Sequence, residues 1–146
     1  MIKDDIQNLV YKALKEHDKI RVDVLRFLLS QIKYKEIDLR KNITDEETVI
    51  LLRQEIKKRR ESIDLFRKGN REDLVKSNEG EIKVIEEFLP PSLPDIEINK
   101  LIDDILKKSE GPVHPGKLIG QIIGLTKGKA DGSKIAELVN KKINKK

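Results

Sequence analysis

Residues 89–95 read LPPSLPD, with prolines at 90, 91 and 94. Proline has no amide hydrogen to give a helix and its ring collides with the preceding turn. No helix continues through this segment, and the fixed φ angles make it a stiff connection. The chain is therefore expected to organise as two parts, 1–89 and 95–146, joined by a Pro-rich linker at 90–94.

Both parts carry helical spacing. In residues 3–16, Ile6, Leu9, Val10, Ala13 and Leu14 fall on one face. After the break at HDK, a second helix is predicted over roughly 19–40, with Asp18 as N-cap and Ile20, Val24, Phe27, Leu28 and Ile32 as its buried stripe. Thr44 followed by Glu47 is a capping box opening a long third helix, and Gly69 is its expected stop. Val49, Leu52, Ile56, Ile63 and Phe66 form the stripe of that helix. Arg59 stands in phase with them, so its guanidinium must either reach solvent or meet a carboxylate near the core. A fourth helix runs to about Phe88 across a weak point at Gly80. Beyond the prolines, helices are predicted over about 95–108, 115–126 and 133–144, with Pro115 in the first turn of the middle one. The fold class is all-α: an N-terminal bundle of about four helices and a small C-terminal three-helix unit.

This reading suits a chain that is 39% charged and 3% aromatic, which is poor material for a β-sandwich or an aromatic ligand pocket. There is no cysteine, which rules out disulfides and thiolate metal sites and fits a reducing compartment. No secretory signal is expected from MIKDDIQNLVYKALKE, and no apolar run is long enough to span a bilayer. The expectation is a cytoplasmic protein with no membrane partner.

The net charge of +5 is uneven. From His114 onward, eight lysines (117, 127, 129, 134, 141, 142, 145 and 146) face only Asp131 and Glu137, so this end carries +6 and the rest −1. A near-neutral body with a basic end is the pattern of a polyanion binder, and the competing reading is a solvated, lysine-rich terminus. Within it, Lys127-Gly128-Lys129-Ala130-Asp131-Gly132-Ser133 links the last two helices. Gly128 can end one helix in the left-handed conformation, and Asp131-Gly132 reads as a turn. Lys127, Lys129 and Lys134 surround the N-terminus of the last helix, where free N–H groups favour an anion. Small side chains there would let a sugar-phosphate chain approach. Asp131 opposes this, since it can cap those N–H groups itself.

Two further motifs need weighing. KKRR at 57–60 points around its helix at about 100° per residue, and Glu55, Glu61 and Asp64 stand at i,i+4 from its members, so a salt-bridged exterior is expected. Gly116, Gly120 and Gly124 recur every fourth residue. Three glycines cost one helix roughly 2–3 kcal/mol relative to alanine, so something should approach that face closely. A neighbouring helix is the expected occupant, and a nucleic-acid backbone the alternative.

Catalytic sets are missing from the sequence. His17 and His114 read as a cap or solvent-facing residues, and Asp103-Asp104 and Glu86-Glu87 are adjacent on helices and diverge. Neither a GxxxxGK[ST] phosphate loop nor a GxSxG elbow is present. The reading assigns no catalytic residue, no metal and no cofactor.

Several stretches together resemble the GatB/YqeY family, in its stand-alone YqeY form: VLRFLLSQIKYKEIDLRK, ITDEETVILLRQEIKKRRESIDLFRKGNREDL, EIKVIEEFLP and GQIIGLTKGKADGSKIAELV. The resemblance covers nearly the whole chain, and EIKKRRESI and KGKADG are among its most specific parts. It implies two helical subdomains and kinship with the tail of GatB, a component of the aspartyl/glutamyl-tRNA amidotransferase, where that tail contacts the outer corner of tRNA. By that resemblance Lys127 to Gly132 occupy the family's loop, and Gly120 matches its mid-helix glycine. The family label, carbon–nitrogen ligase with glutamine as amido-N-donor, finds no machinery here and reads as inherited from a larger relative.

The resulting expectation is a non-catalytic module binding tRNA or another structured RNA through Lys117, Lys127, Gly128, Lys129, Asp131, Gly132 and Lys134. The alternative is an adaptor docking on amidotransferase subunits or a tRNA-modifying enzyme through Gly116, Gly120 and Gly124.

Overall fold

The computed structural model describes residues 1–144 and is all-helical over that range. Two compact units are distinguished, Met1–Leu89 and Pro90–Lys146. The terminal lysines Lys145 and Lys146 of the basic end lie outside the described residues. No helix among the described residues is long and apolar enough to cross a membrane.

The first unit holds α1 (Ile2–Lys15), α2 (Lys19–Leu39), α3 (Asp45–Lys68) and α4 (Glu72–Glu86). Local chemistry sets the boundaries. The Asp18 carboxylate accepts the Arg21 N–H at 3.1 Å and opens α2. Thr44 and Glu47 form the reciprocal capping box that opens α3. At the end of α3 the left-handed residue is Asn70 (φ 56°), not Gly69 (φ −87°). Asparagine tolerates that conformation, and the Arg71 N–H returns to the Phe66 carbonyl at 2.8 Å to close the end.

Helices α1 and α2 pack as one hairpin and α3 and α4 as another, with α2 also against α4. Ile6, Leu25, Leu28, Ile32, Leu52 and Ile85 are fully buried between them. Each such side chain contributes about 1.5–3 kcal/mol by leaving water. The stripe expected on α2 is only partly right. Val24, Leu28 and Ile32 are buried, but Val22 and Leu25 complete the inner face, while Ile20 and Phe27 lie outward. Apolar residues occur so densely on this helix that neighbours, not periodicity, decide which arc is covered.

The second unit holds α5 (Asp95–Lys108), α6 (Pro115–Thr126) and α7 (Gly132–Ile143), each packed on the other two. Its core is Ile98, Ile102, Leu118, Ile122, Ala130, Ile135, Leu138 and Val139. The Leu93 N–H donates to the Lys129 carbonyl at 2.8 Å, fastening the proline segment to the loop between α6 and α7.

Candidate nucleic-acid interface

The loop joining α6 to α7 is tied by backbone hydrogen bonds and presents lysines at its surface. The Thr126 hydroxyl is buried and donates to the Ile123 carbonyl at 3.0 Å, closing the last turn of α6. Lys127 then turns left-handed (φ 51°), followed by Gly128 (φ 80°). The reversal thus begins one residue before the expected glycine, and two consecutive positive φ values turn the chain sharply. The Lys129 N–H donates to the Thr126 carbonyl at 2.9 Å, and its own carbonyl accepts from Leu93. Lys129 is therefore held at both backbone groups.

Side chains alternate through the turn. Lys127 and Lys129 are exposed, whereas Gly128 and Ala130 are buried. Ala130 belongs to the core of this unit. A Cβ on Gly132 would sit 3.6 Å from Ile123 Cδ1, an ordinary van der Waals contact. The consequence for the lysines is outward projection from a pinned backbone.

The start of α7 is less open to an anion. The Asp131 carboxylate caps it, accepting the Ser133 N–H at 3.1 Å. Lys134 reaches Asp95 at 3.2 Å. Lys142 meets Asp103 at 2.8 Å, and Lys141 meets Glu137 at 3.3 Å. Among the described residues, no ion pair involves Lys117, Lys127 or Lys129. Lys117 stands in the first turn of α6, about 15 Å along the axis from Lys127, so the structure does not bring it into the loop. Of the predicted set, the loop gathers Lys127, Gly128, Lys129, Asp131 and Gly132, with Lys134 beside them in an exposed ion pair that exchanges readily.

The glycine face corrects another expectation. Gly116, Gly120 and Gly124 are exposed, and a Cβ built on any of them meets nothing within 4 Å. Among the described residues, no helix packs closely there. The covered face of α6 is Leu118, Ile122 and Thr126, one arc away.

KKRR also differs from a plain charged exterior. Arg59 is drawn inward: its side chain is 13% exposed and Glu55 beside it 5%. Arg59 Nη1 donates to Glu55 at 3.0 Å, Nε donates to Glu81 of α4 at 3.0 Å, and the guanidinium lies 5.2 Å from the centroid of Phe27. The apolar phase of Arg59 signalled this; Glu81, 22 residues away, carried no such signal. Among the described residues, no group of three His, Cys, Asp or Glu side chains could hold a metal ion.

A family model described as Yqey-like protein matches residues 3–143. The chain belongs to the YqeY-like family. This YqeY-like chain is 36% identical over 110 residues to "Altered inheritance of mitochondria protein 41, mitochondrial" of Vanderwaltozyma polyspora, an alignment covering 70% of the chain and 58% of the relative. The protein of the same name from Lachancea thermotolerans is 37% identical over 109 residues, again 70% of the chain and 58% of the relative. That of Kluyveromyces lactis is 33% identical over 129 residues, covering 83% and 66%. The chain therefore spans 58% of the length of the first two relatives.

These names overturn the cytoplasmic expectation, since the relatives are named as mitochondrial proteins. The physical reason for the error is plain. A charged helical surface without cysteine suits any reducing aqueous compartment, and composition does not distinguish one from another.

Proposed function

We propose that this chain is a non-catalytic module that binds tRNA or another structured RNA, with Lys127 and Lys129 as its principal phosphate contacts. One observation carries the reading: both ammonium groups project from a backbone-pinned loop, and among the described residues neither has an ion pair. Lys134 joins them by exchanging Asp95 for a phosphate, and Lys117 adds a more distant contact. Phosphate contacts position an RNA without reading its sequence, and this surface offers few groups suited to base edges. An association with tRNA-dependent amidotransfer belongs to the same proposal and rests on the family resemblance. Filter binding to total tRNA tests it. Lys127→Ala with Lys129→Ala is expected to weaken binding at least tenfold, while Lys57→Ala with Lys58→Ala changes it less than twofold. Equal affinity in wild type and the loop variant would remove the loop from the interface.

A second reading is favoured by the open glycine face of α6. Gly124 and Leu125 share a shallow groove with Ile105 and Lys108, and this surface could seat a component of an amidotransferase or a tRNA-modifying enzyme. Gly120→Leu would then abolish capture of that protein without lowering the melting temperature.

A further inference from the structure

A row of exposed apolar side chains lies on α2 and is separate from the RNA reading. Ile20 is 66% exposed, Phe27 40% and Tyr34 63%. They stand seven residues apart, so successive members rotate by only about 20° and the row runs about 21 Å along the helix. Each is preceded by a cation: Lys19-Ile20, Arg26-Phe27 and Lys33-Tyr34. Arg40 at the C-cap continues the interval. Lys19, Arg26 and Lys33 are exposed, and among the described residues none of them has an ion pair. Asp23, Ser30 and Ile37, themselves seven residues apart, fill the strip between the two rows, so the strip holds one acid against three cations, and Asp38 lies on the far side of the apolar row.

The central anchor is held from behind. The Arg59 guanidinium lies 5.2 Å from the Phe27 ring centroid and is itself fixed by Glu55 and Glu81. The buried ion network thus orients a ring that remains partly in solvent. We infer that this face of α2 docks an amphipathic helix of a partner protein, whose apolar stripe meets Ile20, Phe27 and Tyr34 and whose acidic edge meets Lys19, Arg26 and Lys33.

Charge and spacing select this occupant. The anchors recur every two helical turns, the interval at which another helix presents its own side chains. A second copy docking antiparallel would set the row of three cations against its own counterpart. An RNA would find one face of Phe27 already taken by Arg59, and anchors about 10 Å apart, roughly three times the spacing of stacked nucleotides.

The test uses the full chain and two synthetic 18-residue helices with the same leucine stripe, one flanked by glutamates and one by lysines. Fluorescence anisotropy is expected to show the glutamate peptide binding at least tenfold more tightly. Tyr34→Ser, at an exposed site that leaves folding intact, should weaken it tenfold, and Phe27→Ser should do the same. Exchanging Lys19, Arg26 and Lys33 for serine together should erase the preference between peptides, whereas Lys127→Ala with Lys129→Ala should leave it unchanged. Equal binding of the two peptides, or binding insensitive to Tyr34→Ser, overturns the inference. So does a wild-type dimer in sedimentation that Tyr34→Ser dissociates, or tRNA affinity that falls with Tyr34→Ser.

Discussion

The cations of α3 and those of the loop after α6 are used in opposite ways. On α3, Lys58 and Arg59 share Glu55, Arg59 also holds Glu81, and Arg60 reaches Glu86 at 3.8 Å. In the loop, Lys127 and Lys129 point outward, and among the described residues no carboxylate meets them. The difference lies in geometry, not in the number of charges. An α-helix places carboxylates one turn from each cation and lays a second helix alongside. A tight left-handed turn that buries Gly128 and Ala130 gives its lysines no such neighbour. Lys58, Arg59 and Arg60 are thus drawn into ion pairs within the first unit, while Lys127 and Lys129 stand at the surface with none among the described residues.

The sharpest way to break this contrast is to remove a partner on the α3 side. Glu55→Ala leaves Arg59 largely buried with one carboxylate fewer and should destabilise the first unit by about 3–5 kcal/mol, measured by urea unfolding. Replacing both Glu55 and Arg59 by leucine should recover most of that loss, because an apolar pair needs no solvation. A loss below about 1 kcal/mol for Glu55→Ala would mean that the network is as dispensable as an exposed pair.

A second change sharpens the other side. Gly120→Ala adds a methyl where nothing stands within 4 Å, at an ordinary helical backbone. It should stabilise the second unit by up to about 1 kcal/mol, with tRNA affinity unchanged. Destabilisation would show that the glycine face is covered in solution.

The smallest effect concerns acid. Glu36 has its carboxyl held below the ordinary carboxylate range, first by the Lys3 ammonium at 2.7 Å and then by the Ile43 N–H at 2.9 Å. A depressed folded-state value contributes stability that is present above the unfolded value and is lost as pH falls through the folded one. Glu36→Gln should therefore flatten the acid limb of the stability–pH curve below about pH 5, and leave its alkaline side unchanged. An unaltered acid limb would show that other carboxylates set it.

Much of the fold was legible because its punctuation is local. The prolines at 90, 91 and 94, the Thr44–Glu47 box, the Asp18 cap and Pro115 each act within a few residues. What escaped depended on distant neighbours. Ile20 and Phe27 looked like core because α2 carries more apolar residues than its neighbours cover. Glu81 and Asp95 lie 22 and 39 residues from the cations they bind, beyond any spacing rule. In the candidate site, the Asp131 cap was readable, but the burial of Gly128 and Ala130 was not. Two small residues in a turn carry no apolar periodicity, and only the packing shows which way they face.

The most direct test is the salt dependence of tRNA binding by the full chain. Each phosphate neutralised releases counterions and contributes about −0.7 to −0.9 to the log–log slope of affinity against salt. The wild type should give a slope of roughly −2 to −4, and Lys127→Ala with Lys129→Ala should reduce its magnitude by about 1.5. A slope near zero in the wild type, or one that the double variant leaves unchanged, would contradict an RNA role for the loop.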